Sequence, residues 1–198
     1  MLDGKELFQF IWNKLREDFE EKEKIAITRS ILIDLVKFKM PWNLQKNISP
    51  NLILQVEQAI KRINEGEPSQ YVCGMAPFRN YLLHVNKEVL IPRPETEELV
   101  SIVLNHLDFL PIGKGLDVGT GSGAISIAIS LESSREMDAL DISKSALMVA
   151  KKNIEKYSAK VNPIHLDILN DTIFGNYSFI VRDRKSTRLN SSHSDRSR

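Results

Sequence analysis

The segment Leu116-Asp117-Val118-Gly119-Thr120-Gly121-Ser122-Gly123 constrains the fold of this chain more than any other. An apolar run ends in an acid, glycines follow at alternate positions, and an apolar helical pattern (Ala124, Ile125, Ile127, Ala128, Ile129) comes next. That order reads as a strand, a tight turn and a helix start. Glycine tolerates positive φ and lacks a Cβ, so a ligand can approach the backbone. A helix N-terminus adds unpaired N–H groups and a partial charge of about +0.5. The pattern points to a nucleotide-like ligand with an anionic group; a glycine-rich turn without a ligand is the plainer reading. A second acid, Asp141, ends the run Met137–Asp141, eighteen residues after Gly123. In a strand–helix–strand unit this spacing sets Asp141 beside the glycine loop, where it can accept hydrogen bonds from two ribose hydroxyls. A helix N-cap is the competing role, for Asp141 or Ser143, and the two roles can be divided: Ser143 as cap, Asp141 as ribose ligand.

Size and charge narrow the function classes. The chain has 198 residues, 42% hydrophobic and 27% charged, as an ordinary soluble globular protein has. Its net charge of +1 gives no electrostatic case for nucleic acid or membrane. Residues 182–198 hold six basic and two acidic side chains, a net +4 that leaves −3 on the first 181 residues. The single cysteine, Cys73, forms no internal disulfide and suits a reducing compartment. The histidines show no metal-ligand spacing, so no metal is expected. No apolar run is long enough to span a bilayer, no signal-type core opens the chain, and a cytoplasmic location is expected.

Residues 1–66 read as helical. Leu7, Phe8, Ile11, Trp12, Leu15 and Phe19 recur at helical steps, and Ile27, Ile31, Leu35 and Phe38 continue the pattern until Pro41. Ser49-Pro50 offers an N-cap and a first-turn proline, and Gly66 a stop. Trp12 and Trp42 are expected in the core. Residues 67–93 are rich in strand formers (Tyr71, Val72, Phe78, Tyr81, Leu83, Val85), which predicts a connecting β-hairpin. Pro94 and three nearby acids open a helix to about His106. From Gly115 the order is strand, helix, strand, helix, strand, strand, with the last two strands at 161–166 and 177–181. Alternation of this kind implies a parallel α/β sheet.

Three segments carry a resemblance: Gly66-Glu67-Pro68 leading into Tyr71-Val72-Cys73-Gly74, Leu90-Ile91-Pro92-Arg93-Pro94-Glu95-Thr96-Glu97, and Leu116–Gly123. The glycine loop alone resembles class I S-adenosylmethionine (SAM) methyltransferases. Together with the Ile-Pro-Arg-Pro-Glu-Thr-Glu segment, it resembles the HemK/PrmC family, the peptide chain release factor glutamine N5-methyltransferases. The likeness covers almost everything up to Val181. It implies a Rossmann-like class I sheet behind a small helical N-terminal domain (1–66) that binds release factor, a hairpin at 67–93 and a partial SAM-binding domain at 94–181. By the same resemblance Gly119, Thr120, Gly121, Ser122 and Gly123 form the cofactor loop. Asp141 holds the SAM ribose, and Asp167 lies near the adenine unless it is a solvated turn residue. Arg93 and Thr96 lie beside the active site, where Thr96 can also be a helix cap. The implied reaction is methyl transfer to the amide nitrogen of the glutamine in the Gly-Gly-Gln motif of release factors, by a monomer without direct nucleic-acid contact.

The family's fourth strand runs into Asn-Pro-Pro-Tyr, whose Asn and a following carbonyl hold the substrate amide. Here Asp183 stands at the Asn position and Arg184-Lys185 replace the prolines. No catalytic residue is therefore assigned, and the 198-residue chain is expected to be inactive. Residues 182–198, with Leu189 as the lone apolar side chain and five serines, cannot bury a core. They read as a foreign, disordered tail, from vector or adaptor read-through or a frameshift, against the alternative of a genuine basic tail. The sheet would then be C-terminally incomplete, with the strand at 177–181 open at one edge. Three other functions stay open. Gly119-x-Gly121-x-x-Ala124 also meets a dinucleotide fingerprint, so an NAD-dependent oxidoreductase is one. A class I methyltransferase acting on other protein or nucleic-acid amino groups is another. A non-catalytic binding remnant is the third.

Overall fold

The computed structural model describes residues 4–37, 48–173 and 175–183, so Phe38, Pro41, Trp42 and the tail beyond Asp183 lie outside the described residues. The chain divides into two compact units, Met1–Met75 and Ala76–Arg198.

The first unit is helical: α1 (Gly4–Lys14), α2 (Glu21–Ser30) continued by a π-helical turn over Ile31–Leu35, α3 (Pro50–Asn64) and α4 (Ser69–Cys73). Leu7, Ile11, Ile31, Leu32, Val56 and Ile60 form its buried core. Ser49 caps α3 by accepting the Leu52 N–H at 3.3 Å, and Pro50 opens the first turn. Gly66, at φ 94°, ends the helix in the left-handed region. Trp12 is half-buried and stacks on Phe8. Tyr71 and Val72, expected in a strand, are helical instead. Pro68 starts a short turn, Gly74 stops it at φ 73°, and Val72 packs on the helical core. Tertiary packing between a proline and a glycine overrides the β preference of these residues.

The second unit opens with a hairpin, β1 (Met75–Phe78) and β2 (Tyr81–His84), so the strand-forming stretch supplies two short strands and Val85–Arg93 runs on without regular structure. Then come α5 (Pro94–His106), β3 (Lys114–Val118), α6 (Ala124–Ser133), β4 (Met137–Asp141), α7 (Lys144–Tyr157), β5 (Val161–His165) and β6 (Tyr177–Val181). The sheet has the order β5-β4-β3-β6 with all pairings parallel. One face carries Met137, Ala139, Val161 and Val181 and is covered by Val100 of α5, Ile127 and Ala128 of α6 and Ile154 of α7. The other carries Leu116, Val118 and Leu140 with Leu166, Ile173 and Tyr177 against them. Alternation along β3 and β4 assigns the two faces. A register shift opposite Lys114/Gly115 pairs Lys114 with Tyr177 and Gly115 with Phe179, which sends those two aromatic rings to opposite faces. Among the described residues β6 pairs only with β3, leaving its outer edge open.

Candidate functional site

A cavity of about 720 Å³ opens at the C-terminal ends of β3 and β4, within the second unit. In an open parallel sheet this is where ligands bind. The cavity gathers segments far apart in sequence: Val89–Arg93 and Thr96, the Val118–Ser122 turn, Leu140–Ser143, Leu166–Leu169, and Arg182 with Asp183. Of the site residues expected from sequence, Gly119, Thr120, Gly121, Ser122, Asp141, Asp167, Arg93, Thr96 and Asp183 all line it. Gly123 does not. It is the N-cap of α6 at φ 82°, and a Cβ there would meet Ile127 Cδ1 at 3.0 Å and Ala150 Cβ at 3.5 Å. Its role is close packing of the turn on α7.

The turn is held by its own amides. Gly119 and Thr120 N–H groups both donate to the Leu140 carbonyl (2.8 and 2.9 Å), and Gly123 donates to the Thr120 carbonyl at 2.9 Å. The Gly121 N–H donates to Asp141 Oδ2 at 2.9 Å. These four donors are engaged within the protein, contrary to the expectation that the loop amides serve an anion. What the turn offers is bare backbone. A Cβ at Gly121, φ 56°, would meet no atom within 4 Å, so the peptide surface there is open to a flat or bulky ligand.

Asp141 ends β4 with both oxygens in use, Oδ2 on Gly121 and Oδ1 accepting the Ser143 N–H at 2.9 Å. A carboxylate offers about four lone-pair sites. One on each oxygen is left, which matches a vicinal diol. Ser143 takes the capping role, its hydroxyl accepting the Ala146 N–H at 3.2 Å. The cap therefore falls to Ser143 rather than to Asp141.

Asp117 is the residue whose part sequence reading did not assign. It is buried beneath the turn. Its Oδ2 accepts from the Thr120 hydroxyl at 2.6 Å and the Ser126 N–H at 3.3 Å, whereas Oδ1 is buried and has no partner. Burial pushes its carboxyl up to about 6, opposed by those hydrogen bonds and helped by the nearby Asp141 charge. An acid ending a strand before a glycine turn was the available signal.

Asp167 sits in a turn, accepting the Leu169 N–H at 2.9 Å and the Asn170 amide at 2.7 Å, which holds its carboxyl below the usual range. It lines the cavity while also bracing its own turn. Thr96 is not a cap: Arg93 is the N-cap of α5, and the buried Thr96 hydroxyl donates to Asp183 Oδ2 at 2.7 Å. Bare glycine backbone and a carboxylate with one free site per oxygen fit an adenosyl ligand.

No group of three or more His, Cys, Asp or Glu side chains is arranged to hold a metal among the described residues, and no described helix is long and apolar enough to cross a membrane. The family model described as Methyltransferase small domain matches residues 97–183. The release factor glutamine methyltransferase of Lactococcus lactis is 40% identical over 172 residues, 84% of this chain and 62% of that protein. That of Bacillus subtilis is 39% identical over 155 residues, covering 75% and 54%. That of Bacillus cereus is 38% identical over 159 residues, covering 78% and 56%. The chain thus spans between 54% and 62% of the length of these relatives. The parallel sheet with its glycine turn and acid is the α/β fold of class I SAM-dependent methyltransferases, and over these spans the chain is similar to release factor glutamine methyltransferases.

Proposed function

We propose that this chain carries the SAM-binding part of an enzyme that methylates the side-chain amide nitrogen of the Gly-Gly-Gln glutamine in peptide chain release factors. The observation that carries the reading is the convergence, on one cavity, of the glycine turn, Asp141 and the Ile91–Thr96 segment. The names and 38–40% identity of the relatives support the substrate class. Bound in the cavity, SAM supplies an electrophilic methyl group on its sulfonium. Asp141 holds the ribose diol, Gly119–Ser122 leave room for the donor against the backbone, and Asp117 braces that turn from beneath through Thr120 and Ser126. Asp167 borders the adenine. Arg93 and Thr96 belong to the substrate side, where Thr96 orients position 183.

The amide lone pair is delocalised into its carbonyl, so catalysis must orient the nitrogen. Holding reactants in place can contribute up to roughly 7–11 kcal/mol. Asn at position 183 would accept an amide hydrogen as a neutral group; Asp183 brings a charge, and the following prolines are replaced. The 198-residue chain therefore binds SAM without methylating release factor. The parent enzyme is read as a cytoplasmic monomer that contacts no nucleic acid directly, with residues 1–66 as the release-factor-binding part. Calorimetry with S-adenosylhomocysteine tests the cavity: saturable binding is expected, and preferential uptake of NAD would overturn the reading. Labelled SAM with release factor should give no incorporation on this chain and should label the glutamine once Asn-Pro-Pro-Tyr follows Arg182.

A further inference from the structure

Asn153 is a fully buried amide on α7, and its polar atoms are all engaged. Oδ1 accepts the His84 N–H at 2.7 Å, and Nδ2 donates to the His84 carbonyl at 3.0 Å and to the Ser122 carbonyl at 2.9 Å. One side chain therefore pairs both main-chain groups of a β2 residue, as a neighbouring strand would, and its second N–H reaches the cavity wall. One turn along, Tyr157 treats Leu82 in the same way. Its hydroxyl accepts the Leu82 N–H at 2.7 Å and donates to the Leu82 carbonyl at 2.9 Å. Positions 153 and 157 share a helix face, and Leu82 and His84 share a strand edge. The two clamps differ in one respect: Tyr157 holds only the hairpin, whereas Asn153 also holds the glycine turn.

We propose that Asn153 is a positioning residue that locks the Thr120–Gly123 turn to β2, so that filling the cavity and securing the hairpin edge are coupled. The inference rests on the reading that the cavity takes an adenosyl ligand. Its physical basis is the Ser122 carbonyl, which Asn153 fixes on the buried side of a turn that carries three positive-φ glycines. Coupling of this kind is reciprocal: whatever orders the turn also stabilises the His84 pairing, and loosening that pairing weakens the ligand. The position was visible in sequence only as a polar residue on the apolar stripe of Ala146, Leu147, Val149 and Ala150.

The test compares the full chain with Asn153→Ala, Asn153→Asp and Tyr157→Phe, by calorimetry with S-adenosylhomocysteine and by hydrogen exchange of single amides. In the wild type the ligand should slow exchange at Gly121 and Gly123 and also at His84. Asn153→Ala should bind about tenfold more weakly, exchange Gly121 and Gly123 faster without ligand, and lose the ligand's effect at His84. Asn153→Asp keeps the acceptor for the His84 N–H but loses both donations, and should follow Asn153→Ala; it stands in if the alanine variant does not fold. Tyr157→Phe should speed exchange at Leu82 and leave affinity within about twofold. Unchanged loop exchange and affinity at position 153, or an equal loss in Tyr157→Phe, would overturn the coupling. If the wild type takes up no S-adenosylhomocysteine, the cofactor reading fails, while loop exchange in Asn153→Ala against wild type still decides the positioning role.

Discussion

The Tyr177 hydroxyl of β6 donates to Asp138 Oδ2 of β4 at 2.9 Å, reaching across β3. Asp138 Oδ1 accepts from Lys114 of β3 at 3.1 Å and from Asn162 of β5 at 3.0 Å, so one buried carboxylate joins all four strands. Burial and the hydrogen bond to Asp138 push the Tyr177 phenol up to about 12. A folded value above the ordinary one means that this stability is complete below about pH 10 and is lost as pH rises towards 12. Tyr177→Phe should lower stability by about 1 kcal/mol at neutral pH and flatten the alkaline loss, as urea unfolding at pH 8 and pH 11 will measure.

Asp117 gives an acid-side counterpart. Its carboxyl is raised to about 6, so the folded state favours the protonated form. The contribution to stability is complete below the ordinary carboxylate value and lost as pH rises through 6, about 2–3 kcal/mol over that window. Asp117→Asn should show a shallower fall in stability between pH 4 and pH 7 than the wild type, and weaker uptake of S-adenosylhomocysteine at pH 7.5.

Gly121 and Gly123 separate binding from folding. Gly121→Ala meets no neighbour, so its cost to the free protein is that of positive φ, about 1 kcal/mol; its methyl group enters the cavity and should weaken the nucleoside more than tenfold. Gly123→Ala crowds Ile127 and α7 and should cost more stability than Gly121→Ala. Thermal unfolding and calorimetry on both variants test the contrast.

Asp141→Ala strips two backbone N–H groups of their acceptor as well as removing the proposed diol ligand. Hydrogen bonds to charged groups contribute about 1.5–3 kcal/mol. Affinity for S-adenosylhomocysteine should fall at least tenfold, with a smaller fall in melting temperature, both read in one ligand-dependent thermal shift series.

Gly115→Ala should destabilise the sheet by roughly 1–3 kcal/mol, because its Cβ would sit 2.6 Å from Met137 Sδ and against the Phe179 ring. Phe179→Leu in the same chain should recover part of that loss in chemical denaturation.

Sequence by itself determined the order of elements in the second unit and the strand ends at Asp141 and Val181. Periodicity, punctuation by glycine and proline, and short motifs are local signals, and Leu116–Gly123 and Ile91–Glu97 are dense in them. Tertiary structure decided the rest. Tyr71 and Val72 became helical because a core was there to receive Val72. The loop amides turned inward because the Leu140 carbonyl and Asp141 lie within reach on the neighbouring strand. Asn153 acquired its role from partners on two other segments and Asp138 from partners on three other strands, up to 69 residues away. Such roles have no local signature, since a side chain's hydrogen-bond partners are fixed by which segments the sheet brings together.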